Sequence, residues 1–113
     1  MLDSDQLKIA AALIARGWTQ HTLARDGDGN ATYPESSSAV CWCPLGAFRP
    51  QGGDNFTARA ILRLAIGIPI NQWNDDPART KEEVLAAFSR AIEIAIYIEL
   101  RLAAAARLAK EAA

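Results

Sequence analysis

The chain is short of the residues that most chemistry needs. It carries one histidine and two cysteines in 113 residues. A zinc site takes four ligands, usually in paired C-x₂-C or H-x₃-H spacings, and Cys41, Cys43 and the distant His21 supply only three soft donors. No metal or other cofactor is expected. A bridge between Cys41 and Cys43 would close a strained ring, so no disulfide is expected either. Charge of one sign is also missing, with 12 basic residues against 13 acidic ones and a net charge of -1. No overall field draws in nucleic acid or an anionic membrane, and no nucleic-acid partner is expected. Long apolar runs are absent as well. Arg63, Asn71, Asp75 and Arg90 interrupt the most hydrophobic regions, whereas a membrane span needs about 20 apolar residues. The opening segment MLDSDQLKIAAALIARG sets acids before a short apolar run broken by Lys8, the reverse of a secretory signal, and a cytoplasmic location is the expectation.

What the chain has is helix. Its length suits a single domain spanning residues 1–113 with one core. From Ser4 to Arg16 the apolar positions Leu7, Ala10, Ala11, Leu13 and Ile14 recur at three- and four-residue steps, with Ser4 or Asp5 as cap and Gly17 as stop. Residues 18–33 hold strand formers around the turn sequence DGDGN, which predicts a small irregular β-hairpin. Pro44 fits a first helical position with Cys43 as cap, opening a short helix that ends before Pro50. FTARAILRLAIG predicts an amphipathic helix capped by Asp54 or Asn55, with Phe56, Ala60, Ile61 and Leu64 inward. One further turn is expected around Ile70 to Trp73. Thr80 and Glu83 form a capping box, and between Val84 and Lys110 there is neither Gly nor Pro. The predicted fold is mostly α, a small helical domain with a short β-hairpin and a long C-terminal helix over 80–112.

That last helix points outward. About 30 residues at about 1.5 Å each span about 45 Å, more than a domain of this size needs. Val84, Leu85, Phe88, Ala91, Ile92 and Ala95 make one apolar face, but Ile94, Ile96, Ile98, Leu100 and Leu102 point all round the cylinder. A second copy of the chain is the natural cover. A homodimer is therefore expected, with Ile94, Ile98 and Leu102 in the interface and Glu99 paired to a partner arginine, Arg101 or Arg107.

Two motifs carry possible chemistry. In VCWCPLGAF, a cysteine at a helix N-terminus is where thiol nucleophiles sit, and Cys43, His21 and Asp75 can be written as nucleophile, base and orienting group. The competing account makes Cys43 a small buried hydrophobe beside Trp42 and Leu45, with Gly46 and Ala47 letting a neighbour approach; it is preferred. Geometry separates the two. Catalysis needs a His21 nitrogen within hydrogen-bond reach of Cys43 Sγ, both open to a pocket. In WNDDPARTKEEV, clustered carboxylates suggest acid catalysis or cation binding, but Asn74 and Asp75 are turn formers, Glu83 belongs to the capping box, and Arg79 can pair with either aspartate. Trp73 would anchor this connector through its indole N–H, with room for a small ligand beside it. Arg49, Arg59 and Arg63 read as a solvated face.

The order GWTQ, ARDGDG, CWCPLGAF, WNDDPARTKEEV resembles a family of small uncharacterised bacterial and phage proteins marked by C-x-L-G-A and a later W-N-D…R-T-x-x-E-V, over about Leu7 to Ile96. The matching residues are Trp18, Cys43, Leu45, Gly46, Ala47, Trp73, Asn74, Asp75, Arg79, Thr80 and Val84. A looser likeness is to prophage-type proteins with C-L-G followed by L-N-D. The resemblance implies no assigned activity, and His21 is outside its pattern. The functional expectation is a non-enzymatic protein-binding or regulatory module, phage or mobile-element derived, with an unidentified protein partner. The rivals are a small cysteine-dependent hydrolase or transferase and a small-ligand binder near Trp73.

Overall fold

The last helix sets the frame. In the computed structural model, which describes residues 1–113, α4 runs unbroken over Lys81–Ala112. It starts where Thr80 Oγ1 accepts from the Glu83 amide at 3.2 Å and the Glu83 carboxylate accepts from the Thr80 amide at 3.0 Å. A threonine cap of this kind contributes about 1 kcal/mol. These hydrogen bonds from Thr80 hold the Glu83 carboxyl below its ordinary pKa, with Arg79 adding to the effect.

Two helices cover the first half of α4. α1, Asp3–Arg16, brings Leu7, Ala10 and Ile14, and α2, Phe56–Ile66, brings Ala58, Ile61 and Leu62. They bury Val84, Ala87, Phe88, Ala91 and Ala95 of α4. Phe48 closes the core against Phe88, with ring centroids 6.1 Å apart. Burying each large side chain of this set contributes about 1.5–3 kcal/mol. The alanines between them let the helices approach.

β1 (Ala24–Asp26) and β2 (Ala39–Trp42) form the hairpin, antiparallel, with Ala24 opposite Trp42 and Arg25 opposite Cys41. The second strand is thus the apolar patch at 39–42, not the stretch near Tyr33, because Ala39 and Trp42 bury a face while Tyr33 stays exposed. The DGDGN turn lies where expected. Asp26 Oδ1 accepts from the Asp28 and Asn30 amides at 3.0 Å each, and one bridge joins Arg25 to Ala31. Cys43 O accepts from Ala47 N at 2.9 Å and opens a helical turn. It becomes a 3₁₀ helix over Gly46–Gln51. This helix passes through Pro50 instead of stopping before it, since proline's fixed φ suits a 3₁₀ turn. α3 is the single turn Ile70–Asn74.

α2 departs from expectation. Ile61 faces inward as read, but Phe56, Ala60 and Leu64 face water, and Ala58 and Leu62 take the inner row. The sequence offers two apolar rows on this helix, and α4 takes the one lined by smaller and branched residues. No helix is long and apolar enough to cross a membrane.

Candidate functional site

Residues from three distant segments meet at one pocket. The turn after β2 delivers Cys43 and Leu45, the loop before β1 delivers His21, and α3 with the residue after it delivers Asn74 and Asp75; together they line a hollow of about 200 Å³. The hinge of this assembly is Asn74, which is buried. Its Oδ1 accepts from the Trp18 indole at 2.8 Å and its Nδ2 donates to Thr19 O at 3.2 Å. Gln20 Nε2 spans the same gap, donating to Asn74 O at 2.7 Å and Asp76 O at 2.8 Å. Asp75 Oδ1 then accepts from the His21 amide at 2.8 Å. So held, His21 takes φ +69°, the only non-glycine residue with positive φ, a conformation that histidine tolerates better than most.

The three catalytic candidates therefore share a pocket, but they are not wired as a triad. His21 Nδ1 lies 3.8 Å from Asp75 Oδ2, while no hydrogen bond links His21 to Cys43. Cys43 is buried and its Sγ accepts from the Gly46 amide at 3.3 Å. Burial pushes the thiol pKa up, with the Asp75 charge adding to it against the amide hydrogen bonds. At neutral pH Cys43 is a protonated thiol whose sulfur accepts the Gly46 amide in the turn that leads into the 3₁₀ helix. A thiol whose folded pKa exceeds its unfolded value keeps its proton longer when folded. Its contribution to stability is complete below the unfolded pKa and declines as pH rises through the folded one.

A labelling experiment follows from this. Both cysteines are free, Cys41 partly exposed and Cys43 buried. In the folded protein at about pH 7.5, an aromatic disulfide reagent will modify Cys41 first and Cys43 at least about tenfold more slowly, the lag shrinking as pH rises. Modification of Cys43 at the rate of the unfolded chain would show an activated thiol instead.

Behind the pocket the rest of the second motif is tied together by its own side chains. The Arg79 guanidinium lies 4.0 Å from the Trp73 ring centroid, and its Nε donates to Trp73 O at 3.0 Å. Arg79 pairs with Glu83 at 3.0 Å and with Asp76 at 3.9 Å, not with Asp75, which serves His21. No carbonyl accepts from the Trp73 indole; stacking under Arg79 anchors the ring instead, and Trp18 is the tryptophan whose N–H is used here. Arg49 pairs with Glu35 at 2.7 Å.

The second candidate surface is the free end of α4. Val84, Phe88, Ala91 and Ala95 form a seam at alternating steps of four and three, and Ile98, Leu102, Ala105 and Ala109 extend that seam past the body. Ile94 still packs against the core. Beyond it exposure climbs, and Leu102 is 66% exposed. On the far side Ile96, Tyr97, Leu100 and Leu108 also face water. Glu99 reaches back to α1 within its own chain. Its carboxylate accepts from the Ser4 amide at 3.1 Å and from Ser4 Oγ at 2.6 Å, satisfying a first-turn donor of α1. This takes over the role expected of Ser4 or Asp5, although Asp5 Oδ2 still accepts from the Leu2 amide at 3.1 Å. Arg107 lies 3.9 Å from Glu111 of its own helix.

The family of unknown function DUF6197 matches residues 2–94, and the chain belongs to it. No curated protein and no solved structure matches the chain significantly. The matched region holds the hairpin, the pocket and all of the core but Ala95, and it stops within α4, short of the Glu99 contact with α1.

Proposed function

We propose that this member of the family is a protein-interaction module, non-enzymatic, that assembles with a second copy of itself through the outer half of α4. The observation that carries the reading is the seam. Its first four residues are buried by α1 and α2, while its continuation through Ile98 and Leu102 meets water with apolar side chains on the opposite face as well. Soluble chains seldom leave so contiguous an apolar surface uncovered. The stretch from Ile96 to Ala112 is about 25 Å long and about 11 Å across, so one side of it offers a partner roughly 400 Å², the scale of a small, concentration-dependent interface. A two-fold pairing covers the seams of both copies with one self-complementary patch. The clamp between Glu99 and Ser4 fixes the direction in which the helix leaves the body, so the pairing surface is rigid.

Light scattering on the eluting protein tests this. At tens of micromolar the wild type should show twice the chain mass of 12.2 kDa. Leu102→Glu, at a site a monomer leaves in water, should return it to the monomer mass with its helical circular dichroism retained. A wild type that elutes as a monomer would overturn the proposal. The motif resemblance supports a bacterial or phage source for the module, in which Cys43 is a buried turn residue.

A further inference from the structure

α2 turns a second apolar row to water. Phe56 is 67% exposed and Leu64 is 69% exposed, with Ala60 between them. Beside this row lies a hollow of about 340 Å³ floored by Phe56, Ala60, Pro69 and Ile70 and flanked by Arg59 and Arg63. It meets the pocket of Cys43 along Leu45, Ile70 and Asn71, which line both. The two hollows make one groove with opposite charges at its ends.

At the α2 end stand two guanidiniums one helical turn apart, and neither is neutralised. Arg59 Nε donates to Asn55 Oδ1 at 2.7 Å and its guanidinium lies 5.9 Å from the Phe56 ring centroid. Neither Arg59 nor Arg63 forms an ion pair, whereas Arg49, Arg79 and Arg107 each have a carboxylate within 4 Å. At the other end Asp75 gives one oxygen to the His21 amide and holds the other 3.8 Å from the His21 ring. Between them the floor is apolar.

We infer that this groove takes an extended peptide segment of another protein, one with a large apolar side chain between an acidic residue and a basic one. The apolar side chain rests on Phe56, Ala60 and Ile70, the acid meets Arg59 and Arg63, and the base meets Asp75. A nucleic-acid strand does not fit, because Asp75 would face a phosphate. The opposed rim charges give the segment a direction and steer its approach. This surface is distinct from the seam of α4 and does not depend on dimerisation.

Selection from a displayed library of random ten-residue peptides tests the inference, using the full chain as bait. Enriched peptides should carry Asp or Glu within about four positions of Leu, Ile, Phe or Trp. Fluorescence anisotropy of an enriched peptide should show about a tenfold or greater loss of affinity for Arg59→Glu/Arg63→Glu, whose positions are outside the core. It should show recovery when the peptide acid is replaced by Lys. Peptides lacking an acid, equal affinity for the double variant, no enrichment, or displacement by millimolar inorganic phosphate alone would each overturn it.

Discussion

Gly46→Ala will lower the melting temperature by about 12 °C or more, one methyl group undoing at least about 3 kcal/mol. A Cβ at position 46 would stand 2.0 Å from Leu23 O and 2.8 Å from Leu23 C, far inside van der Waals contact. The obstacle is backbone, and it is pinned. Leu23 O accepts from the Cys43 amide at 3.1 Å, so moving it away breaks the bond that seats the 43–47 turn against the start of β1. The same shift would carry Leu23 and Leu45 apart and open the pocket. Gly46 has an ordinary backbone conformation, so the penalty is steric and not conformational. Gly27→Ala is the control. A methyl group there would meet nothing within 4 Å, and the φ of Gly27 is not positive, so its effect should stay within about 0.5 kcal/mol. Thermal and urea unfolding of the two variants gives the comparison. A Gly46→Ala protein within about 1 kcal/mol of the parent would mean that β1 and the turn are not locked together.

The same glycine shows what the sequence can and cannot disclose. Its lack of a side chain marks a close approach, but nothing local says that Leu23 is what approaches. Local rules located α4, its Thr80 and Glu83 cap, α1 and α3, because periodicity, capping and helix propensity act within a few residues. The turn at Cys43 and Pro44 was legible for the same reason, although the helix itself begins two residues later, at Gly46. Choices settled by packing were not. α2 carries two apolar rows, and only the shape of α4 decides that Ala58 and Leu62 turn in while Phe56 and Leu64 turn out. Glu99 looks like an acid stranded among apolar residues until α1 lays its open first-turn amides beside it. Cys43, His21 and Asp75 do gather at one pocket, yet the sequence could list them only as residue types. It could not supply the Asp75 bond to the His21 amide or the burial that keeps the thiol protonated. A faint signal existed for Trp18 and Asn74, both in the motif pattern, but a turn-forming asparagine reads as local when its partners lie more than fifty residues away.

Asn74→Ala should cost about 3 kcal/mol, nearly as much as the glycine substitution, although it removes only an amide from a one-turn helix. Asn74 is 1% exposed. Its Oδ1 accepts a hydrogen bond from the Trp18 indole N–H at 2.8 Å and its Nδ2 donates to Thr19 O at 3.2 Å, which ties α3 to the segment entering the hairpin. Each bond contributes about 1 kcal/mol, and the orphaned, part-buried indole N–H adds about 1–3 kcal/mol. A double-mutant cycle isolates the second part. Trp18→Phe removes the donor, so in Trp18→Phe/Asn74→Ala the orphan no longer exists. The pair should then be less destabilised than the sum of the single changes by about 1 kcal/mol or more. Strict additivity would assign the loss to packing alone. A readout at the pocket accompanies the stability change. With the 18–21 segment no longer tied through Asn74, His21 loses part of what holds it at positive φ, and its amide resonance should shift and broaden while those of α4 stay in place. That result would make Asn74 the residue through which the W-N-D motif shapes the pocket.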